Sequence, residues 1–330
     1  MELAAFVDTK IADGAVSAED ILQVRRYIFG DGAISLEEGE ALFRLNNADC
    51  TYAEGWYDLL PEAVCVLLVE QARPEGYVSD DHATWLINQI TADGHVCTRT
   101  ELDVVLKVLE KATEAPAALE RFALEAVKQS ALTGSGCTRA GHKLKPGVIS
   151  DGEVELLRRI LYASAGSASI AISKMEAEIL FDINDATVEA ENAPAWSELF
   201  AKAVANYLMA LSGYQPPSRE VALRRENWLE QPGGFEGGLG GFFKSMFTGG
   251  TGGVRSGLQR EDSIAAQRGA AMSAEIAANE VVSEDEAHWL VNRIGRDGLM
   301  HENEKALLRF LREESPTIHP ALQPLMERTF

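Results

Sequence analysis

The residues with the clearest potential for chemistry are aspartates that precede a glycine and are followed, seven or eight positions later, by a second acid. The stretch DGAISLEEGEALFRLNNA at 31–48 shows the pattern, with Asp31, Gly32 and Glu38. Closely spaced carboxylates could bind Ca²⁺, since an EF-hand loop supplies oxygen ligands from positions 1, 3, 5, 7, 9 and 12 around a glycine at position 6. They could also cap a helix, because an acid in the first turn accepts a hydrogen bond from the backbone at the helix start.

The calcium interpretation fails at two ligand positions. With Asp31 at position 5 and Gly32 at position 6, Glu38 falls at position 12 as required, but positions 1 and 3 are Tyr27 and Phe29. Carboxylates are missing from the same two positions in the turns at Asp13, Asp93 and Asp297. At most about four protein oxygens remain per loop, whereas Ca²⁺ takes six to eight. Tight binding by one loop is therefore not expected, although acids from several loops could form a weak composite cation site.

The capping interpretation meets every requirement. Ser35 and Glu38 have the spacing of a capping box, in which the hydroxyl accepts from the acid's amide and the carboxylate accepts from the serine amide. The same spacing recurs at Ser17–Asp20, Thr98–Glu101, Ser150–Glu153, Ser173–Glu176 and Ser283–Glu286. Thr98 and Glu101 lie one position further from Asp93-Gly94 than the corresponding residues lie from the other Asp-Gly pairs. A capping box tolerates this shift because its two residues move together, whereas a metal-binding loop needs fixed spacing. The left-handed residues that end the preceding helices are then Gly14, Gly32, Gly94 and Gly298.

Helices are predicted along nearly the whole chain. Apolar residues recur at intervals of three and four, as at Val104, Val105, Val108 and Leu109, which is typical of amphipathic helices. No stretch of useful length alternates as a strand would. We predict an all-α fold, made of two tandem copies of a bundle of about seven short helices with short antiparallel connections.

The duplication is visible in the sequence itself. Residues 16–48 lie over residues 149–186, and both contain a Val-Arg-Arg or Leu-Arg-Arg step followed by E-x-L-F-x-[LI]-N-[ND]-A. Further matches pair Trp56 with Trp196, 140 residues apart, and Trp85 with Trp289, 204 residues apart, so the second copy has 64 additional residues. We expect these tryptophans to lie in helix contacts. The predicted organisation is a first copy at 1–131, a linker at 132–147, and a second copy at 148–330 with an insertion at about 212–280.

The insertion contains the glycine-rich stretch QPGGFEGGLGGFFKSMFTGGTGGVRSG at 231–257. A free linker is more often serine-rich and without aromatic residues, so we expect the large apolar side chains among these glycines to dock on a protein partner or on the chain's own bundle. Plain disorder and membrane contact are the alternatives. The predicted partner-binding residues are Phe235, Leu239, Phe242, Phe243, Met246 and Phe247.

Composition narrows the possible partners. A net charge of -21 repels nucleic-acid phosphate and anionic lipid, so we expect neither nucleic-acid binding nor peripheral membrane contact. The sequence shows no signal peptide and no apolar run of about 18 residues, so we expect a cytoplasmic protein without a transmembrane segment. Four scattered cysteines without a C-x-x-C are predicted to be free thiols.

No motif indicates a catalytic site. The six histidines form no H-x-x-x-H or H-E-x-x-H pattern for zinc, and no G-x-S-x-G surrounds a serine. The glycine-rich stretch has no G-x-x-x-x-G-K-[ST] phosphate loop. We therefore predict no catalytic residue, no cofactor other than weakly bound Ca²⁺, and no enzymatic activity.

The turn ADGAVSAED at 12–20, its relatives at Asp31, Asp93 and Asp297, and the duplicated helical pattern resemble the TerB-like domains of tellurite-resistance protein B and related bacterial proteins. The resemblance implies a compact helical bundle with an acidic face, sometimes proposed to bind metal, that acts in stress-response or membrane-associated complexes and not as an enzyme. The matching first turn of the second copy reads SASIAIS and lacks the Asp-Gly pair. By position, the resemblance implies metal-binding acids at Asp13, Asp20, Asp31, Glu38, Asp93, Glu101, Asp297 and Glu304.

Three functional hypotheses follow. The first is an interaction or scaffold module that holds a protein partner through the insertion. The second is a weak Ca²⁺ sensor whose acidic turns change helix packing when the ion binds. The third is a helical enzyme with a substrate site between the two copies.

Overall fold

The computed structural model describes residues 2–30, 32–92, 98–138, 145–163, 172–210, 284–296, 299–314 and 320–329. These residues are mostly helical, which confirms the all-α prediction. The helices are α1 (Glu2–Asp13), α2 (Ala18–Phe29), α3 (Leu36–Asn46), α4 (Trp56–Cys65), α5 (Asp80–Ile90), α6 (Arg99–Lys111), α7 (Ala117–Thr133), α8 (Asp151–Ala163), α9 (Lys174–Thr187), α10 (Pro194–Ala210), α11 (Glu284–Arg293), α12 (Glu302–Glu314) and α13 (Gln323–Thr329). A π-helical turn, Val66–Glu70, continues α4, and a 3₁₀ turn, Pro320–Leu322, precedes α13.

One short sheet accompanies the helices in the described ranges. Strands β1 (Ala15–Val16) and β2 (Thr51–Tyr52) pair in parallel, with Ala15 opposite Thr51. This strand pair is not predictable from the sequence, because two residues are too few to show an alternating pattern. The pair holds the first Asp-Gly turn beside the start of α4.

The chain forms two compact units. The first comprises Met1–Ser167 with Glu189–Ala193, and the second comprises Ala168–Val188 with Pro194–Phe330. Within the first unit α8 packs against α6 and α7. The segment 189–193 joins this unit because the Ile149 amide donates to Asn192 Oδ1 at 2.8 Å, and the Ala193 amide donates to the Ile149 carbonyl at 2.8 Å. The two units are defined by spatial contacts within the chain. They do not test the predicted limits of the two sequence copies, which stay a prediction.

The core of the first unit lies between α4 and α6, with α3, α5 and α7 around them. Trp56, at the start of α4, is fully buried, as the sequence predicted. Gly39 of α3 lies so close to α5 that a Cβ there would be 2.8 Å from Trp85 Cη2. The ring of Trp85 meets Phe43 edge-on, with centroids 5.9 Å apart. The absent side chain at Gly39 therefore lets α3 and α5 approach closely.

The core of the second unit is built around aromatic rings. Phe181 of α9 meets Phe200 of α10 edge-on at 5.0 Å and Trp289 of α11 edge-on at 5.5 Å. Trp196 is buried beside Phe200, with centroids 6.0 Å apart. Such pairs contribute about 0.5–1.5 kcal/mol each beyond their buried area. The predicted placement of the tryptophans in helix contacts is confirmed in both units.

The cysteines were predicted to be free thiols. Cys50, Cys65 and Cys137 are free thiols, as predicted, and Cys97 lies outside the described residues. Burial raises the pKa of the Cys65 thiol to about 11, so this thiol stays protonated at neutral pH.

In the part of the chain that the structure describes, no helix has both the length and the hydropathy needed to cross a bilayer.

Candidate functional site

The acidic turns begin helices in the way the sequence predicted. The Glu38 amide donates to Ser35 Oγ at 3.2 Å, and the Ser35 amide donates to Glu38 Oε2 at 2.8 Å. The same reciprocal pair is formed at Ser17–Asp20, Thr98–Glu101, Ser150–Glu153 and Ser173–Glu176. The capping-box prediction is therefore confirmed for these five helix starts, and Ser283 lies outside the described residues.

Two of the predicted helix-ending glycines are described, and both are left-handed. Gly14 has a φ of +68°, and its amide donates to the Lys10 carbonyl at 3.0 Å, which closes α1. Gly32 has a φ of +85°, but the prediction that it ends α2 is wrong, because α2 ends at Phe29 with the right-handed Gly30 as its C-cap. A left-handed backbone favours glycine because any Cβ would crowd the following carbonyl. Gly94 and Gly298 lie outside the described residues.

Five of the eight predicted metal-binding acids are described. Asp31, Asp93 and Asp297 lie outside the described residues, whereas Asp13, Asp20, Glu38, Glu101 and Glu304 are described. Within the described ranges, no three side chains of His, Cys, Asp or Glu come close enough together to hold a metal ion. Two of these acids, Asp13 and Asp20 of the first turn, bind the same cation.

That cation is the ammonium group of Lys10. Its Nζ lies 2.9 Å from Asp13 Oδ2 and 3.2 Å from Asp20 Oδ1. The hydrogen bond to Asp13, and then that to Asp20, raise the pKa of Lys10 above its ordinary value. The pKa of Asp20 is lowered, chiefly by the hydrogen bond from the Ser17 hydroxyl. The chain therefore supplies its own positive charge where a bound ion would bridge these two carboxylates.

Replacing Asp20 by asparagine is expected to cost about 1 kcal/mol at pH 6, because the charged acceptor of the capping box is lost. Since the pKa of Asp20 is lowered in the folded chain, its ionised form stabilises folding above about pH 4. That contribution disappears as the pH falls through the lower, folded-state pKa. Urea unfolding of wild type and D20N from about pH 6 down to about pH 2 should therefore give two curves that converge in acid.

The matched control is Asp58→Asn. Asp58 lies in the first turn of α4, where Gly55 provides no side-chain cap. Its carboxylate therefore contributes through the helix dipole alone, and we expect D58N to cost less than D20N at pH 6. A D20N loss that persists unchanged at the acid end would contradict a role for the ionised carboxylate.

Glu101 connects three helices of the first unit and is fully buried. Its Oε2 accepts from the Thr98 amide at 2.6 Å, and its Oε1 accepts from Asn46 Nδ2 at 3.2 Å. Asn46 Oδ1 in turn accepts from Trp56 Nε1 at 3.2 Å. A line of hydrogen bonds thus runs from α4 through α3 to α6. Sequence reasoning missed Asn46, although the asparagine that recurs in both copies of the E-x-L-F-x-[LI]-N motif was a signal for it.

Glu304 has a comparable role in the second unit, where it is also buried. Its Oε1 accepts from the Gly295 amide at 3.0 Å and its Oε2 accepts from the His301 amide at 2.8 Å. One carboxylate thereby ties the end of α11 to the start of α12. Next to it, Asn303 Nδ2 donates to Asn184 Oδ1 at 2.8 Å, which joins α12 to α9. The two buried glutamates serve as hydrogen-bond acceptors for the backbone.

Arg293 is a charged residue that sequence reasoning missed. Its guanidinium is buried and pairs with Asp182, with Glu178 at 3.4 Å and with Asp185 at 3.8 Å. It also lies over the ring of Phe181, 5.3 Å from the centroid. The three acids lie on one face of α9, since they are four and three positions apart. This spacing was the sequence signal that an arginine, here from α11, could lie opposite them.

Comparison with protein-family models, curated proteins and solved structures found no match. The TerB-like resemblance therefore depends on the sequence motifs alone and stays a prediction. The predicted partner-binding side chains of the insertion lie outside the described residues. In the described turns, acids accept hydrogen bonds from backbone amides, and Asp13 and Asp20 bind Lys10.

Proposed function

We propose that this chain is a non-enzymatic helical interaction module of the TerB-like type that holds a protein partner through its glycine- and phenylalanine-rich insertion. The observation that supports the proposal is that the described acids bind groups of the chain itself. Asp20, Glu38, Glu101 and Glu304 accept hydrogen bonds from backbone amides at helix starts, and Asp13 binds Lys10. Acids committed to the fold in this way are poor candidates for a catalytic pair or an ion-binding loop.

The sequence of the insertion supports the proposed binding of a protein partner. Aromatic and methionine side chains carry much of the energy of protein interfaces. Between 235 and 247 four phenylalanines, one methionine and one leucine occur among glycines, in a chain whose described large apolar residues are mostly buried. A partner with an apolar groove would fit this segment. A place in stress-response or membrane-associated complexes is implied by the family resemblance.

Deletion of residues 233–257 tests the insertion. We expect the deleted chain to keep the thermal unfolding of wild type and to lose the proteins that wild type captures from its native cell, as quantified by mass spectrometry. A matched control replaces Lys244 and Arg255 of the insertion by serine and keeps every apolar residue. Capture by the deleted chain equal to that by wild type would refute docking through the insertion.

Calcium dependence tests the alternative sensor function. Because a ligand that binds only the folded state raises its stability, a sensor would melt several degrees higher in millimolar Ca²⁺ than in Mg²⁺. We expect equal melting temperatures in the two ions, since Lys10 already neutralises the first turn. A rise that occurs with Ca²⁺ alone would favour the sensor over the interaction module.

A further inference from the structure

We draw no further inference here: the strongest candidate, the open surface patch around Leu22, Arg26 and Phe29 on α2, carries nothing because no contact among the described residues shows what covers it.

Discussion

Glu101→Ala is expected to lower the free energy of unfolding by about 3 kcal/mol, a large share of the stability of a typical domain. The substitution removes a fully buried carboxylate that accepts from the Thr98 amide and from Asn46 Nδ2. A hydrogen bond to a charged group contributes about 1.5–3 kcal/mol, and the lost cap adds about 1 kcal/mol, while Asn46 Nδ2 keeps its hydrogen bond to Asn47 Oδ1 at 3.2 Å. Urea unfolding followed by tryptophan fluorescence measures the loss, since Trp56 is the third member of the same hydrogen-bond line.

Glu38→Ala is the matched control. Glu38 is the acid of the same capping box at the start of α3, but it is only half-buried, so water can replace it. We expect E38A to cost about 1 kcal/mol, the usual value of a cap. Equal losses for E101A and E38A would show that the buried line from Trp56 to Glu101 adds nothing. A loss in E101A that appears only when Ca²⁺ is present would instead indicate a metal ligand.

Arg293→Met is expected to cost about 3 kcal/mol, because it removes a buried cation that faces three carboxylates of α9. Those carboxylates are partly exposed, so the loss should lie near the lower end of the range for a broken buried pair. The contact with Phe181 is lost as well. Trp289 donates to Glu178 beside this arginine, so its fluorescence reports directly on the site during urea unfolding.

Lys305→Met serves as the control for Arg293. Lys305 pairs with Glu302 at 2.7 Å on an exposed surface of α12, and such pairs contribute less than about 1 kcal/mol. Arg293→Lys should fall between the two, because it keeps the charge but not the planar group that reaches several acids. An R293M loss no larger than that of K305M would contradict a structural role for the buried arginine.

The behaviour of Glu38 and Glu101 shows how far the sequence could predict the site. Both acids belong to the same four-residue pattern, and both form the predicted capping box. Their burial differs because Asn46 of α3 lies against Glu101, 55 positions away along the chain. No local pattern contains that information.

The sequence by itself determined the helical fold, the capped helix starts and the left-handed glycines, because each depends on groups within a few positions along the backbone. Only the tertiary structure decided that Lys10 lies between Asp13 and Asp20, that Glu101 and Glu304 are buried, and that Arg293 neutralises the acids of α9. The physical reason is that burial and charge pairing depend on which helices pack together. The spacing of Glu178, Asp182 and Asp185 places them on one face of α9, but the sequence does not show which helix packs against that face and supplies Arg293.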